Sequence, residues 1–162
     1  LMGRIYRLPG PGARFGVFSW RAVRWGAYGF WTGVGHLTFV SRVMPFAPIF
    51  WRLMGAKVGK RTFVPNAIGI ADFAQITIGD ECTIGSDVII IAHTAKRTEV
   101  ILEPVTIGSR VTLGTPAIIS SGVALEDDAT IGPSSFVLPR AHIGRGETWV
   151  GVPARKVEGM RP

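Results

Sequence analysis

One cysteine, three histidines and two tyrosines in 162 residues set the first limits. The lone cysteine, Cys82, excludes a disulfide framework and a zinc site built on four cysteines. It stands in a slot that elsewhere takes small residues, which predicts buried packing rather than reactivity. The histidines are His36, His93 and His142. His93 and His142 lie 49 residues apart and His36 belongs to a different part of the chain, so a three-histidine zinc site is not expected. No other metal and no bound prosthetic group is implied.

Acid is missing as well. Residues 1–61 hold ten Lys/Arg and no Asp or Glu, and the first carboxylate is Asp72. The remainder holds eight Lys/Arg against eleven Asp/Glu, a net of −3. The overall charge of +7 thus conceals a basic N-terminal third joined to a mildly acidic remainder. The basic residues are diluted by apolar ones and carry no nucleic-acid motif, so no nucleic-acid partner is expected. Long apolar runs are also absent. The longest uncharged stretch, Trp25 to Ser41, is 17 residues, against the roughly 20 apolar residues of a membrane span. No phosphate-cradling glycine loop precedes the repeats described below, which excludes a nucleotidyltransferase with a repetitive tail. Nothing reads as a signal peptide, and the start at Leu1 leaves a preceding segment open.

What the first third does contain is tryptophan. Trp20, Trp25, Trp31 and Trp51 are four of the five in the chain. Leu8-Pro9-Gly10-Pro11-Gly12 predicts a turn or linker. Phe15 to Phe50 predicts helical segments, with Pro45 and Pro48 breaking the second. An indole has an apolar body and a polar tip, and arginine answers anionic headgroups, so this mixture suits a helix lying on a membrane surface. An arm that covers the end of the following domain, or packs on a neighbouring subunit, suits it too. A true span is the third alternative. Residues 1–54 are therefore set apart from residues 55–162.

The remainder is periodic. From Ile107 onward an aliphatic or aromatic residue returns every sixth position: Ile107, Leu113, Ile119, Leu125, Ile131, Val137, Ile143, Trp149. Four residues after each of the first six stands a small or β-branched residue, from Val111 to Ala141. Val58, Val64 and Ile70, then Ile78, Ile84 and Ile90, follow the same rule upstream. A period of six fits neither a helix nor a lone strand. It fits a solenoid of three flat faces per coil, each with one inward aliphatic residue. Glycines after the periodic residue (Gly79, Gly85, Gly108, Gly114, Gly132, Gly144) are expected to shape the corners, where a Cβ would be opposed. The period breaks twice. Two extra residues precede Ile78, and 17 residues separate Ile90 from Ile107. The second gap, His93 to Pro104, must leave the coil, and it is expected to do so as a loop whose root the scaffold holds.

Three stretches resemble the hexapeptide-repeat acyltransferases: Ile76-Thr77-Ile78-Gly79-Asp80, Val105 to Gly114, and the closing Gly151-Val152-Pro153-Ala154-Arg155-Lys156. The resemblance covers about Gly55 to Lys156. It implies a mainly β fold, a left-handed parallel β-helix behind a helical N-terminal segment. It implies a homotrimer that transfers an acyl group, most readily acetyl from acetyl-CoA, to a hydroxyl of a sugar, glycan or envelope-type acceptor. Such a reaction belongs in the cytoplasm or at the inner face of the membrane.

The resemblance also assigns residues. His93, at the root of the extruded segment, matches the family's general base. Gly114-Thr115 and Gly132-Pro133 match the corners that meet the pantetheine arm. Pro133 departs from the pattern, because it has no N–H to offer; Thr112 departs where many relatives carry tryptophan. Arg155 matches the basic residue after the closing Gly-x-Pro-Ala, and Lys156 beside it suits the coenzyme A phosphates. Asn66 and Asp72 are the nearest matches to an acceptor-binding pair, with turn formation as the alternative role. The segment after His93 is shorter than in many sugar acetyltransferases, which suits a large or membrane-tethered acceptor. A different reading remains: a non-catalytic trimeric β-helix that presents the N-terminal segment to a membrane or partner.

Overall fold

The computed structural model describes residues 8–37, 46–65 and 69–158. Most of these residues form a left-handed parallel β-helix with three faces. The first face stacks β2 (Lys57–Val58), β4 (Ile76–Ile78), β9 (Val105–Ile107), β12 (Ala124–Leu125) and β15 (His142–Ile143). The second stacks β5 (Thr83–Ile84), β10 (Thr112–Leu113), β13 (Thr130–Ile131) and β16 (Thr148–Gly151), and β17 (Ala154–Val157) folds back antiparallel on β16. The third stacks β3 (Gly69–Ile70), β6 (Ile89–Ile90), β11 (Ile118–Ile119) and β14 (Phe136–Val137). Parallel pairing places each periodic residue over its counterpart one coil away, as in Leu113↔Ile131 and Ile119↔Val137.

The periodic residues fill the interior. Ile84, Ile90, Ile107, Leu113, Ile119, Ile131 and Ile143 are fully buried, as are Val111, Ala117, Val123 and Ala129 at the small-residue positions. Each buried Ile or Leu contributes roughly 1.5–3 kcal/mol by leaving water, which drives a coil that has no other core.

The glycines act differently from expectation. The left-handed corner backbone falls two residues later, on Arg61, Glu81, Asp87, Arg110 and Ser134, and on Asp128 and Arg140 at corners with no such glycine. A Cβ on Gly114 would instead stand 2.5 Å from the backbone nitrogen of Pro133, and one on Gly79 would stand 2.6 Å from the carbonyl carbon of Gly108. The glycines are needed because successive coils, about 4.8 Å apart, press backbone against backbone at these points.

The N-terminal residues add one strand and two helices. Pro11 and Gly12 form the expected turn. β1 (Arg14–Gly16), which the sequence pattern did not announce, follows it. Helix α1 (Trp20–Leu37) starts at Ser19, whose hydroxyl accepts the Ala22 N–H at 3.3 Å. Helix α2 (Phe46–Met54) contains Pro48 instead of ending there. Pro48 lies in the first turn, where a missing N–H costs no helical hydrogen bond. Pro45 lies outside the described residues. Trp51 of α2 packs on Phe73 at 6.1 Å, and Met54 and Ala56 join the solenoid core, so α2 covers its first coil. Tyr28 of α1 donates to the Met54 carbonyl at 2.8 Å, and burial pushes its phenol well above the ordinary range. Among the described residues, no helix is long and apolar enough to cross a membrane.

The segment after His93 is not a loop. β7 (His93–Lys96) and β8 (Glu99–Leu102) form an antiparallel hairpin, and β1 pairs with β8 to make a three-stranded sheet. Val100 and Leu102 pack on Phe15, which explains why the apolar rise through Leu102 folds up instead of extending into solvent.

Candidate functional site

Both breaks in the repeat fall at one corner, between the third face and the first. Gly69 and Ile70 of β3 pair with Ile89 and Ile90 of β6, and the Ala71 N–H donates to the Ile90 carbonyl at 3.1 Å. The chain then leaves the coil on both levels. After β3 it makes a 3₁₀ turn, Phe73–Gln75; after β6 it makes the β7–β8 hairpin. Asp72 and His93 are thereby set on neighbouring levels of the same corner. Asp72 has left-handed backbone (φ 61°), which a short polar side chain tolerates better than most.

The two side chains meet. Asp72 Oδ2 lies 2.5 Å from His93 Nδ1, and the Trp25 indole N–H donates to Asp72 Oδ1 at 2.6 Å. The carboxylate is 4% exposed and the imidazole 27%. The Trp25 ring stands edge-on to His93, with centroids 5.0 Å apart, and also meets Phe15 of β1 at 6.2 Å. A carboxylate only accepts, so Nδ1 carries the proton and Nε2 keeps its lone pair. The bond from Asp72 raises the His93 pKa above its ordinary value, against the opposing effect of burial. A cavity of about 210 Å³ adjoins the pair, lined by His93, Asp72 and Ala71 on the solenoid side and by Trp25, Gly29 and Thr32 of α1. A half-buried imidazole held in one tautomer beside a cavity can take a proton from a bound group and return it.

Asp72 therefore both lines this cavity and holds His93 from behind. Trp25 was legible only as an aromatic of a surface-type helix; no local pattern marks it as a carboxylate partner 47 positions away. Asn66 lies outside the described residues.

The other sequence-selected residues do not line this cavity. The Gly114 N–H is already given to the Ile131 carbonyl and the Gly132 N–H to Trp149, both at 2.8 Å, so these corner amides are spent on coil stacking. Thr115 and Pro133 are exposed beside them. Next to these corners runs an apolar groove of about 570 Å³, lined by Ile89, Pro116, Ile118, Phe136 and Val152. Arg155 and Lys156 are exposed on β17. Lys156 Nζ lies 2.7 Å from Glu147 Oε1, and this contact is the main reason the Glu147 carboxyl is held down at about 2. His142 lies on β15, exposed, 3.2 Å from Glu126. Cys82 is buried with Sγ 3.0 Å from the Gly108 carbonyl, and burial pushes its thiol up. Among the described residues, no group of three or more His, Cys, Asp or Glu could hold a metal ion.

The family model described as the hexapeptide repeat of succinyl-transferase matches residues 75–92 and 104–134. Over 109 residues, 67% of the chain, the sequence is 34% identical to delta-poly-L-ornithine synthetase of Acinetobacter baumannii (strain AB307-0294). The match spans only 8% of that protein, so the chain corresponds to a small part of the curated relative. Among solved structures, a hexapeptide-repeat acetyltransferase of Vibrio cholerae O1 biovar eltor, complexed with acetyl coenzyme A, superposes with a TM-score of 0.64 at 19% identity. That superposition covers 93% of this chain and 95% of the other. A maltose O-acetyltransferase of Clostridium difficile 630 gives 0.63 at 18% identity, covering 93% and 94%. At these identities the structural likeness is one of fold.

Proposed function

Because the chain belongs to the hexapeptide-repeat proteins, with the left-handed β-helix of their acetyltransferases, we propose that it is a coenzyme A-dependent acyltransferase, acetyl being the group first expected, with His93 as general base. The observation that carries this reading is the Asp72–His93 pair at the corner where both repeat breaks coincide. In the reaction, His93 Nε2 takes the proton of the acceptor hydroxyl as its oxygen attacks the thioester carbonyl. The tetrahedral intermediate collapses, the C–S bond breaks, and the proton on the imidazolium goes to the departing thiolate. Asp72 holds the tautomer in which Nε2 is the base and steadies the imidazolium while it exists. Its role is positioning, and Trp25 positions it in turn.

The groove of about 570 Å³ beside Gly114-Thr115 and Gly132-Pro133 suits the pantetheine arm, with its apolar stem against Ile118 and Phe136. Since the Gly114 and Gly132 amides are committed to the ladder, shape and Thr115 would dominate recognition there. Arg155 and Lys156 would meet the phosphates of acetyl-CoA. A homotrimer completes the proposal: among the described residues His93 and the donor corners line different cavities, and a neighbouring solenoid would close that gap. Within the segment 1–54, α2 covers the first coil and α1 roofs the base, while the segment 55–162 carries the repeat. An acyl-CoA donor places the reaction in the cytoplasm. The acceptor is a sugar, glycan or envelope-type hydroxyl.

The similarity to a part of a poly-ornithine synthetase favours a second reading, in which the same base serves an amine acceptor within a larger synthetase.

The deciding experiment follows thiol release from acetyl-CoA over hydroxyl and amine acceptors, for the wild type beside His93→Ala. Acceptor-dependent release that collapses in the variant supports the transferase, and the preferred acceptor separates the two readings. No release, together with no rise in melting temperature on adding coenzyme A, leaves the scaffold reading in its place.

A further inference from the structure

Helix α1 is apolar on two sides. Its inner side meets the solenoid through Trp25, Tyr28 and Thr32. Trp20, Val23, Ala27, Phe30, Trp31 and Val34 recur at i, i+3, i+7, i+10, i+11 and i+14, which places them along a single stripe on the opposite side. Trp20 is 73% and Phe30 66% exposed, and Phe18, just ahead of the helix, is 94% exposed. Helix α2 repeats the arrangement with Phe46, Ile49 and Leu53 exposed at i, i+3 and i+7. Single exposed apolar residues are ordinary; a row of large ones on one helix face marks a surface that meets something.

Charge selects the occupant. The segment to residue 61 has no acid, and Arg14, Arg21, Arg52 and Lys57 are exposed. A second copy offering the same segment would bring ten more cations and no acid. The solenoid of another copy is a weaker match: Asp87 and Glu99 are exposed on it, but most of its acids have partners. Glu81, Glu103, Asp127, Asp128 and Glu147 are already committed to Arg61, Arg140, Arg145, Arg110 and Lys156. An anionic bilayer supplies both an apolar interior and unpaired negative charge, and tryptophan is at home at its interface. No described helix can cross a bilayer, so α1 would lie in its plane.

We propose that the outward face of α1 docks on an anionic lipid bilayer, and that the acceptor served by His93 is carried in that bilayer. The second half rests on the acyltransferase reading. It follows from the placement of the cavity beside His93, which lies under the same helix, lined by Trp25, Gly29 and Thr32. Docking α1 therefore brings the base within a helix diameter, roughly 10 Å, of the headgroups.

The test floats the full chain with vesicles of phosphatidylcholine containing phosphatidylglycerol and with vesicles of phosphatidylcholine alone. The expected result is binding to the first that weakens with salt, with much less to the second. Phe30→Glu and Trp20→Glu are each expected to weaken binding about tenfold or more, while Trp25→Phe, facing inward, leaves it unchanged. Both outward positions are exposed, so melting temperature serves as the folding control. Failure of the wild type to bind, or binding indifferent to both glutamates, overturns the docking. A change in oligomeric state with these variants, without vesicle binding, also overturns it and assigns the face to protein.

The acceptor half is read from transfer to a lipid-linked sugar in vesicles against the same sugar free in solution. A preference for the membrane-borne form that disappears in Phe30→Glu supports it; equal use of both overturns it. Vesicle binding with no turnover on any acceptor removes the transferase reading, and the acceptor half with it, while the docking stands.

Discussion

Asp72 accepts the Nδ1–H of His93 across a gap of 21 sequence positions, and the two-residue insertion before Ile78 makes that possible. Ile70 and Ile90 are parallel partners, so residues that follow them share a corner on adjacent levels. Had the repeat run unbroken, both positions would be occupied by coil backbone. The insertion lifts Asp72 out, the hairpin lifts His93 out, and α1 lays Trp25 over the pair.

His93→Ala removes the proposed base. Acceptor-dependent thiol release is expected to fall by about 10²–10⁴-fold. Coenzyme A is still expected to raise the melting temperature, because the donor groove does not include His93. Loss of the thermal shift along with the activity would point to a general structural fault.

Asp72→Asn is expected to move the pH profile. The hydrogen bond from Asp72 raises the His93 pKa, and the base works only when neutral, so kcat/KM in the wild type falls as pH drops through that raised value. Removing the charge shifts the acid limb to lower pH and lowers the plateau. A lowered plateau with an unmoved limb would refute the pairing. Stability follows the same linkage. The raised pKa means that the pair stabilises the fold fully below the ordinary histidine value and loses this contribution as pH rises through the folded-state value. The gap between wild type and Asp72→Asn, measured in urea, is therefore expected to be larger at pH 5.5 than at pH 9.

Trp25→Phe keeps an aromatic ring against His93 and deletes the donor to Asp72 Oδ1. Leaving a buried carboxylate oxygen without its donor costs about 1–3 kcal/mol. The expected signature is a lower kcat with KM nearly unchanged and a partial shift of the acid limb toward that of Asp72→Asn. A merely structural role for Trp25 would lower stability without moving the limb.

Gly114→Ala tests the stacking argument. Its Cβ would meet the Pro133 backbone nitrogen at 2.5 Å, and backbone at a coil junction cannot step aside. Overpacking of this kind costs about 1–3 kcal/mol, readable as a lower urea midpoint. Gly146→Ala is the contrast, since nothing lies within 4 Å of a Cβ there and any cost comes from its φ of +68°.

Lys156→Ala is expected to weaken the acid resistance of the last coil. Glu147, ordinarily near 4.5, is held at about 2, chiefly by Lys156. Its contribution is complete above the ordinary value and is lost as pH falls toward 2. The variant should differ from wild type in urea midpoint at pH 7 and converge on it near pH 2. A raised KM for acetyl-CoA in the same variant would support the phosphate assignment as well.

The repeat was legible because each hexad makes the same local demand. An inward aliphatic residue at Ile107, Leu113 or Ile119 has one place to go once the coil closes, so the pattern specifies faces, register and core together. The two breaks were legible as interruptions of that pattern, and His93 as the residue at the root of the longer one. The hairpin was less so. β7 and β8 are stabilised by β1, and nothing near Arg14–Gly16 signals a partner more than 80 positions away.

The corner chemistry shows the same division. Glycine positions were visible in the sequence, but their reason was not: the left-handed backbone falls on Arg110 and Asp128, while glycine is required by the coil above. That constraint acts between residues about 18 positions apart and has no local signature.

What the sequence determined by itself is whatever repeats: the solenoid, its interior residues, its interruptions and the separation of a basic aromatic segment from an acidic repeat. What only the tertiary structure decided is whatever depends on one copy of a contact. Asp72 became the partner of His93, and Trp25 the partner of Asp72, because stacking and helix docking carried three distant residues to one corner. A periodic signal is reinforced at every turn of the coil. A single hydrogen bond between residues 47 positions apart leaves no period to read.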